Sequence, residues 1–309
     1  MFNKTQKFLP LILEKHILKF LMNSIFLFSC NISVLYAGKP FYIAYTANIN
    51  GNLEPCRCQP DELGSLLQLS GMIDSLRGIH PDLILLDNGD FLKTYPIPAA
   101  NYLAWEFMSQ LGYDVMGLGD QEFVEGIKFF ERMAGNFPVP LINANIELGQ
   151  RRAFTLKKYV ILEKVGLKIG ITSILPGESF EFISRPEPEI LSVEKTLSIV
   201  IEDLTSRCDL IILLYHAGYQ EAFRIAKKYP QIHLILAGHS QEQALKKLSG
   251  QTIVQPGYDG EYLVLLTLEK AGENFSVEST FLPVSDTIIP RPYFKDRLQH
   301  FHGNFGNEK

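Results

Sequence analysis

Short apolar runs alternate with longer stretches of helical period along most of this chain, and that alternation admits few folds. Phe41–Thr46, Leu83–Leu86, Val115–Leu118, Val139–Asn143, Tyr159–Leu162, Lys168–Ser173, Ile211–Tyr215, Leu234–Ala237 and Tyr262–Leu268 read as strands. Leu63–Arg77, Ala99–Leu111, Glu125–Met133, Val193–Ser206 and Gln220–Lys228 read as helices, with Leu66, Leu69, Ile73 and Leu76 on one stripe of the first. Strands that are mostly apolar need cover on both faces, which predicts an α/β fold with a largely parallel sheet between helices. The adjacent strands within 159–173 and 252–281 predict antiparallel pairing at the edges. Hydrophobic residues make up 46% of the chain and charged residues 20%, enough apolar material for a sizeable core. No repeat and no Pro- or Gly-rich linker divides the body, so residues 39–285 are expected to form one domain. The segment 286–309, with Pro290, Pro292, His300 and His302, is expected to be a poorly packed C-terminal extension.

The first forty residues differ from the body. Lys15 and Lys19 precede an apolar run from Phe20 to Tyr36 that ends in Ala37 and Gly38. A basic segment, an apolar core and a small residue at the end read as a signal peptide over 1–37, or a signal anchor if it is not cleaved. Asn23, Ser24, Ser29, Cys30 and Asn31 make the run weak as a permanent span. Lipid attachment at Cys30 ranks last, because Phe28 is bulky for such a site, and Met22 is an alternative start. Each reading places the body outside the cytoplasm, in the periplasm or cell envelope, with membrane contact only through an uncleaved signal. Four lysines and one glutamate lie in residues 1–37, so the formal charge of −5 becomes about −8 for the body. A net-acidic body argues against nucleic acid as a partner, because phosphate backbones need clustered Lys and Arg. Cys56 and Cys58, two apart, read as a tight disulfide or a reduced thiol pair. Cys208, just ahead of a strand, reads as structural.

In open α/β sheets ligands gather at the carboxyl ends of strands. There this sequence places Asn48-Ile49-Asn50-Gly51, Gly89-Asp90, Gly119-Asp120-Gln121-Glu122, Asn143-Ala144-Asn145, His216-Ala217-Gly218 and Gly238-His239-Ser240-Gln241. Taken singly, Gly89-Asp90 is a turn, His216 a satisfied strand-end histidine and His239 the start of a helix. Taken in order, two acids and two histidines, each ending its own strand, form a ligand set suited to Mn, Zn, Fe or Mg.

This ordered set resembles the metallophosphoesterase superfamily, and within it the N-terminal domain of bacterial 5′-nucleotidases and UDP-sugar hydrolases. The resemblance runs from Phe41 to Glu269. Asn50-Gly51-Asn52-Leu53-Glu54-Pro55 is similar to the family's His-Gly-x-Leu-Glu-Pro, and Leu118 to Gly126 to its Gly-Asn-His-Glu-Phe-Asp-x-Gly. Gly238 to Gln241 matches its Gly-His-Ser-Gln, and Val254-Gln255-Pro256-Gly257 continues the match. The resemblance implies a four-layer αββα sandwich with two packed mixed sheets. It also implies one cation site at Asp90, Asp120, His216 and His239, with an acid at Asp120 where the family has an amide. A second site would fall on Asn48, Asn50, Asp90 and Gln241, where a carboxylate has become an amide and an imidazole is lost. The family's catalytic histidine position holds Gln121, and its supporting acid position holds Val124. The implied protein is a metal-dependent phosphoester hydrolase of 5′-nucleotidase type with a partly degenerate site. It would hold one divalent ion rather than two and act on a small phosphorylated molecule. The alternative is a non-catalytic metal- or ligand-binding protein on the same fold, redox-associated through Cys56 and Cys58.

Overall fold

The computed structural model describes residues 39–55, 62–148, 156–183, 188–272 and 274–305. In chain order the first half contains β1 (Phe41–Thr46), α1 (Leu66–Ile79), β2 (Ile84–Asp87), α2 (Pro98–Leu111), β3 (Val115–Met116), α3 (Ile127–Asn136) and β4 (Ile146–Glu147). There follow β5 (Tyr159–Lys164), β6 (Leu167–Ile174), β7 (Glu189–Ile190), α4 (Val193–Thr205), β8 (Leu210–Tyr215), α5 (Tyr219–Lys228) and β9 (Leu234–Ala237). The last elements are β10 (Gln243–Leu248), β11 (Gln251–Pro256), β12 (Tyr262–Ala271), β13 (Asn274–Pro283) and α6 (Pro292–Phe305).

Where the strand pattern predicts one largely parallel sheet, the chain builds two mixed sheets. One runs β13-β12-β1-β2-β3 and the other β10-β11-β9-β8-β6-β5, with a small β4-β7 pair apart. Three apolar clusters define the layers. Ile43, Tyr45, Leu86, Ile212, Leu214 and Leu266 belong to the one between the sheets. Leu66, Leu69, Trp105, Phe107 and Phe130 of the helices pack with the outer face of the five-stranded sheet, where Ala44 and Leu85 lie. Leu197, Ile201, Ala222 and Ile225 pack with Ile211, Leu213 and Ile235 on the outer face of the other. Helix, sheet, sheet and helix therefore stack as four layers, matching the expectation drawn from the family resemblance. In β1 and β2 alternate residues serve the two clusters, which is why both strands are apolar on each face.

Local chemistry explains the departures from the sequence reading. Val139–Asn143 makes only isolated bridges, Leu141 to Met116 and Ile142 to Lys157, because Pro138 and Pro140 have no N–H to donate to a ladder. Strand β10 escaped the hydrophobic pattern because it is a mostly exposed edge carrying Lys246 and Lys247. The tail after Ile288 is not poorly packed. Helix α6 begins at Pro292, a favoured first-turn residue, and buries Phe294 and Leu298, four residues apart on one face. Phe294 lies against Phe107 with ring centroids 4.3 Å apart. Arg297 holds the Glu106 carboxylate with two contacts of 2.6 Å, and Arg291 pairs with Asp74. The prolines masked this stripe in the sequence. Among the described residues no helix is long and apolar enough to cross a membrane.

Phe294→Ala is expected to lower the free energy of unfolding by about 3–5 kcal/mol, the usual cost of emptying a buried aromatic site. Urea denaturation measures this, and an unchanged midpoint would mean that α6 does not dock.

Candidate metal centre

Strands β1 and β2 run parallel in one sheet, and β8 and β9 run parallel in the other. Their carboxyl ends meet at one rim, and there the backbone leaves its ordinary range. Eight non-glycine residues among those described have left-handed φ, and five are Asn48, Asn50, Asp90, His239 and Gln241. Such conformations cost free energy and persist where the surroundings impose them. Here the loops lace together: Asn48 N–H donates to Gly89 O at 3.0 Å and Asn50 N–H to Asp90 O at 2.8 Å. A Cβ on Gly119 would collide with Asp90 Oδ1 and stand 2.6 Å from His216 Cε1, so only glycine permits this approach. Glu122, buried in a short 3-10 turn, accepts the N–H groups of Gly119 (2.7 Å), Asp90 (3.0 Å) and Phe91 (2.9 Å). Burial, then the nearby Asp90 charge, push its carboxyl up to about 8 against the pull of those donors.

Asp90, Asp120, His216 and His239 each present one ligand atom, all within 4.8 Å of one another. His216 Nε2 lies 3.2 Å from Asp90 Oδ2 and 3.6 Å from Asp120 Oδ1, and His239 Nδ1 lies 3.2 Å from Asp120 Oδ1. His216 Nδ1 sits 2.5 Å from Asn88 O, a carbonyl that can only accept, so this nitrogen carries the proton. Nε2 is thereby aimed at the carboxylates and is buried between them. An imidazole pinned through one nitrogen to a carbonyl, with the other facing carboxylates, is the arrangement that orients a metal-ligating histidine. The donor set fits one divalent cation. Burial alone would depress the His216 pKa, but Asp90 and Asp120 outweigh it and hold the imidazole well above its ordinary value. Burial likewise opposes charge on Asp120, yet its hydrogen bonds to His216 and His239 hold it down to about 2. Burial lifts the Asp90 carboxyl, with His216 opposing.

The other half of the site is an amide lattice. Asn50 Nδ2 donates to Gln241 Oε1 and to Asp259 Oδ1, each at 2.8 Å. Gln121 Nε2 donates to Asn50 Oδ1 and Asp90 Oδ2, each at 3.1 Å. Asn48 accepts His239 N–H at 2.8 Å and donates to Gly257 O at 2.9 Å. Gln241 Nε2 reaches His239 O at 3.2 Å. The structure therefore brings Asn48, Asn50, Gln121 and Gln241 beside the four ligands, but both Nδ2 hydrogens of Asn50 point at neighbouring oxygens. Polar hydrogens and amide oxygens alternate across this half of the rim, and the Gln121 Oε1 is buried without a protein partner. Val124, where the family has an acid, is buried.

Two contributors escaped the sequence reading. Asp259 lies in the Gly257-Tyr258-Asp259-Gly260 turn, and its N–H donates to Asn48 O at 2.7 Å; the paired glycines were its only signal. Glu122 follows Asp120 and Gln121 in its loop, and nothing in the sequence marks it as the carboxylate that ties two loops. Cys56 and Cys58 lie outside the described residues.

No family model matches the chain. It is 27% identical over 204 residues to the 5′-nucleotidase of Diplobatis ommata, a match covering 61% of this chain and 34% of that protein. It is also 27% identical over 215 residues to the snake venom 5′-nucleotidase of Naja atra, covering 64% of this chain and 40% of that one. The matches thus take in less than half the length of these relatives. Among solved structures, the 5′-nucleotidase precursor from Thermus thermophilus superposes with a TM-score of 0.76 at 18% identity, covering 87% of this chain and 59% of that one. The calcineurin-like phosphoesterase YfkN from Bacillus subtilis superposes with a TM-score of 0.70 at 20% identity, covering 87% and 98%.

The electrostatics of the four ligands set a sign for pH. A cation bound through His216 Nε2 must displace the proton that the carboxylates favour there, so uptake releases protons and affinity falls as pH falls. Calorimetric titration with Mn²⁺ near neutral pH, in two buffers of different ionisation enthalpy, is expected to show release of about one proton per ion. Equal heats in the two buffers would mean that Nε2 has no proton to lose.

Proposed function

The sequence relatives and the fold support placing this chain in the metallophosphoesterase superfamily, and on that premise we propose that it is an exported metal-dependent phosphoester hydrolase with one working cation site. The observation that carries the reading is the convergence of Asp90, Asp120, His216 and His239, with His216 Nε2 buried between the two carboxylates. When bound, a divalent ion supplies Lewis-acid polarisation of a phosphoryl oxygen. Asp120 brings full negative charge to its ligand set, and Asn88 keeps His216 in the required tautomer. Gln121 has no titratable proton and is committed to Asn50 and Asp90, so it positions those groups and does not act as an acid. Absence of a positioned acid–base group typically lowers rates by about 10²–10⁴-fold, and turnover slow by that factor is the expectation. The substrate class is a small phosphorylated molecule. Export to the periplasm or cell envelope rests on the basic and apolar pattern of residues 1–37.

A second reading, binding without turnover, is favoured by the amide lattice: the Nδ2 donors of Asn50 and the Nε2 donors of Gln121 are already used within the protein. Metal analysis of purified protein is expected to find about one ion per chain and His239→Ala to lose most of it; unchanged content would refute the site. Hydrolysis of p-nitrophenyl phosphate and a nucleotide panel with added Mn²⁺ is expected to be slow and metal-dependent. It should rise by about 10²-fold or more when Gln121→His is combined with Asn48→Asp and Asn50→His. One bound ion with no turnover in either protein would establish binding as the role.

A further inference from the structure

Positive charge is scarce at the rim that carries the four ligands. Among the described residues, the loops following β1, β2, β3, β6, β8, β9 and β11 contain a single lysine or arginine, Lys93. The same loops carry Glu178, Glu181, Glu242, Asp259 and Glu261 besides the ligand pair Asp90 and Asp120. A divalent ion held by two carboxylates and two neutral imidazoles brings that ligand set only to zero net charge. A phosphomonoester carries about −1.5 to −2 charges at neutral pH, so it would approach a rim whose remaining acids repel it.

Lys93 is placed to offset that repulsion. It follows Asp90 by three residues, and its N–H donates at 2.8 Å to Oδ1 of Asn101, a buried residue of α2. The backbone of Lys93 is thus anchored to the helix behind it. Its side chain leaves along Gly51, where an added Cβ would stand 2.9 Å from Lys93 N and 3.0 Å from Lys93 Cγ. On this side the 50–51 backbone is tied to the Asp90 loop, through Asn50 N–H to Asp90 O and Gly51 N–H to Phe91 O. On the other side Asn50 Nδ2 donates to Asp259 Oδ1. Lys93 and Asp259 therefore flank the amide half. Burial pulls the Lys93 ammonium below its ordinary range, and the Asp259 charge opposes that pull. Because Asp259 is shared with Asn50, a half-buried ammonium here gains from a second anion.

We propose that Lys93 binds a phosphoryl oxygen of the substrate at the amide half of the rim, and that the substrate is a phosphomonoester dianion. This rests on the metal-dependent hydrolysis proposed above. The bound ion and the Lys93 ammonium would then hold the phosphoryl group from two sides, with the lysine acting as a fixed positive charge and not as an acid or base.

Lys93→Met keeps the side-chain stem and removes the charge. With Mn²⁺ bound, its dissociation constant for inorganic phosphate is read from broadening of the ³¹P resonance. It is expected to rise about 10- to 100-fold, the weight of one charge-assisted hydrogen bond. Lys93→Gln should behave alike, and Lys93→Arg should recover most of the loss. Dimethyl phosphate, a monoanion, is expected to lose less, about 3-fold. Wild-type phosphate affinity in Lys93→Met or Lys93→Gln, at wild-type Mn²⁺ content, would overturn the proposal and leave the metal site standing. Equal losses for the two anions would overturn the assignment to dianions. A wild-type protein that holds no Mn²⁺ would overturn the metal reading and this proposal together, and metal analysis distinguishes that result from the first.

Discussion

The carboxylate of Glu122 holds together the two loops on which the ion site is built. It takes N–H groups from Asp90 and Phe91 after one strand and from Gly119 after the next. Asp90 is thereby kept in a left-handed backbone, with its carboxylate turned toward the histidines of the facing sheet. The arrangement is electrostatically reciprocal. Glu122 and Asp90 each make the other's charge harder to carry in a buried setting, and positive charge among the four ligands relieves both. The site is therefore assembled around a concentration of buried negative charge.

The amide half joins its loops through hydrogen bonds between neutral side chains and the surrounding backbone. Asn48 still bridges two loops, to His239 N–H on one side and Gly257 O on the other. Asn50 does the same for Gln241 and Asp259. An amide presents both hydrogens and lone pairs, so each of these side chains donates on one side and accepts on the other. The lattice of hydrogen bonds gives these loops cohesion of its own.

Much of this was legible in the sequence because strand ends carry the chemistry. The apolar runs located β1, β2, β8 and β9, and the residues just past them are the ones that converge. The four-layer stacking was not readable from periodicity, since an apolar strand between two sheets looks like one between a sheet and helices; the family motifs supplied it. Helix α6 was missed because Pro290 and Pro292 dominate its local pattern, whereas Phe294 and Leu298 matter only once α1 and α2 stand beside them. Asp259 and Glu122 were beyond reach for a related reason. Each acts through backbone groups distant in sequence, and no spacing rule encodes that.

The four ligands are divided evenly between the sheets. Asp90 and Asp120 follow β2 and β3, and His216 and His239 follow β8 and β9. An ion held by all four would be a further cross-link between two sheets that otherwise meet through apolar contact and the hydrogen bonds of this rim. Its grip would add cohesion that grows with ion concentration, most of all at the rim where no backbone ladder joins the sheets. For such a protein, scarcity of the metal would register first as a loosening of the sandwich at its open edge.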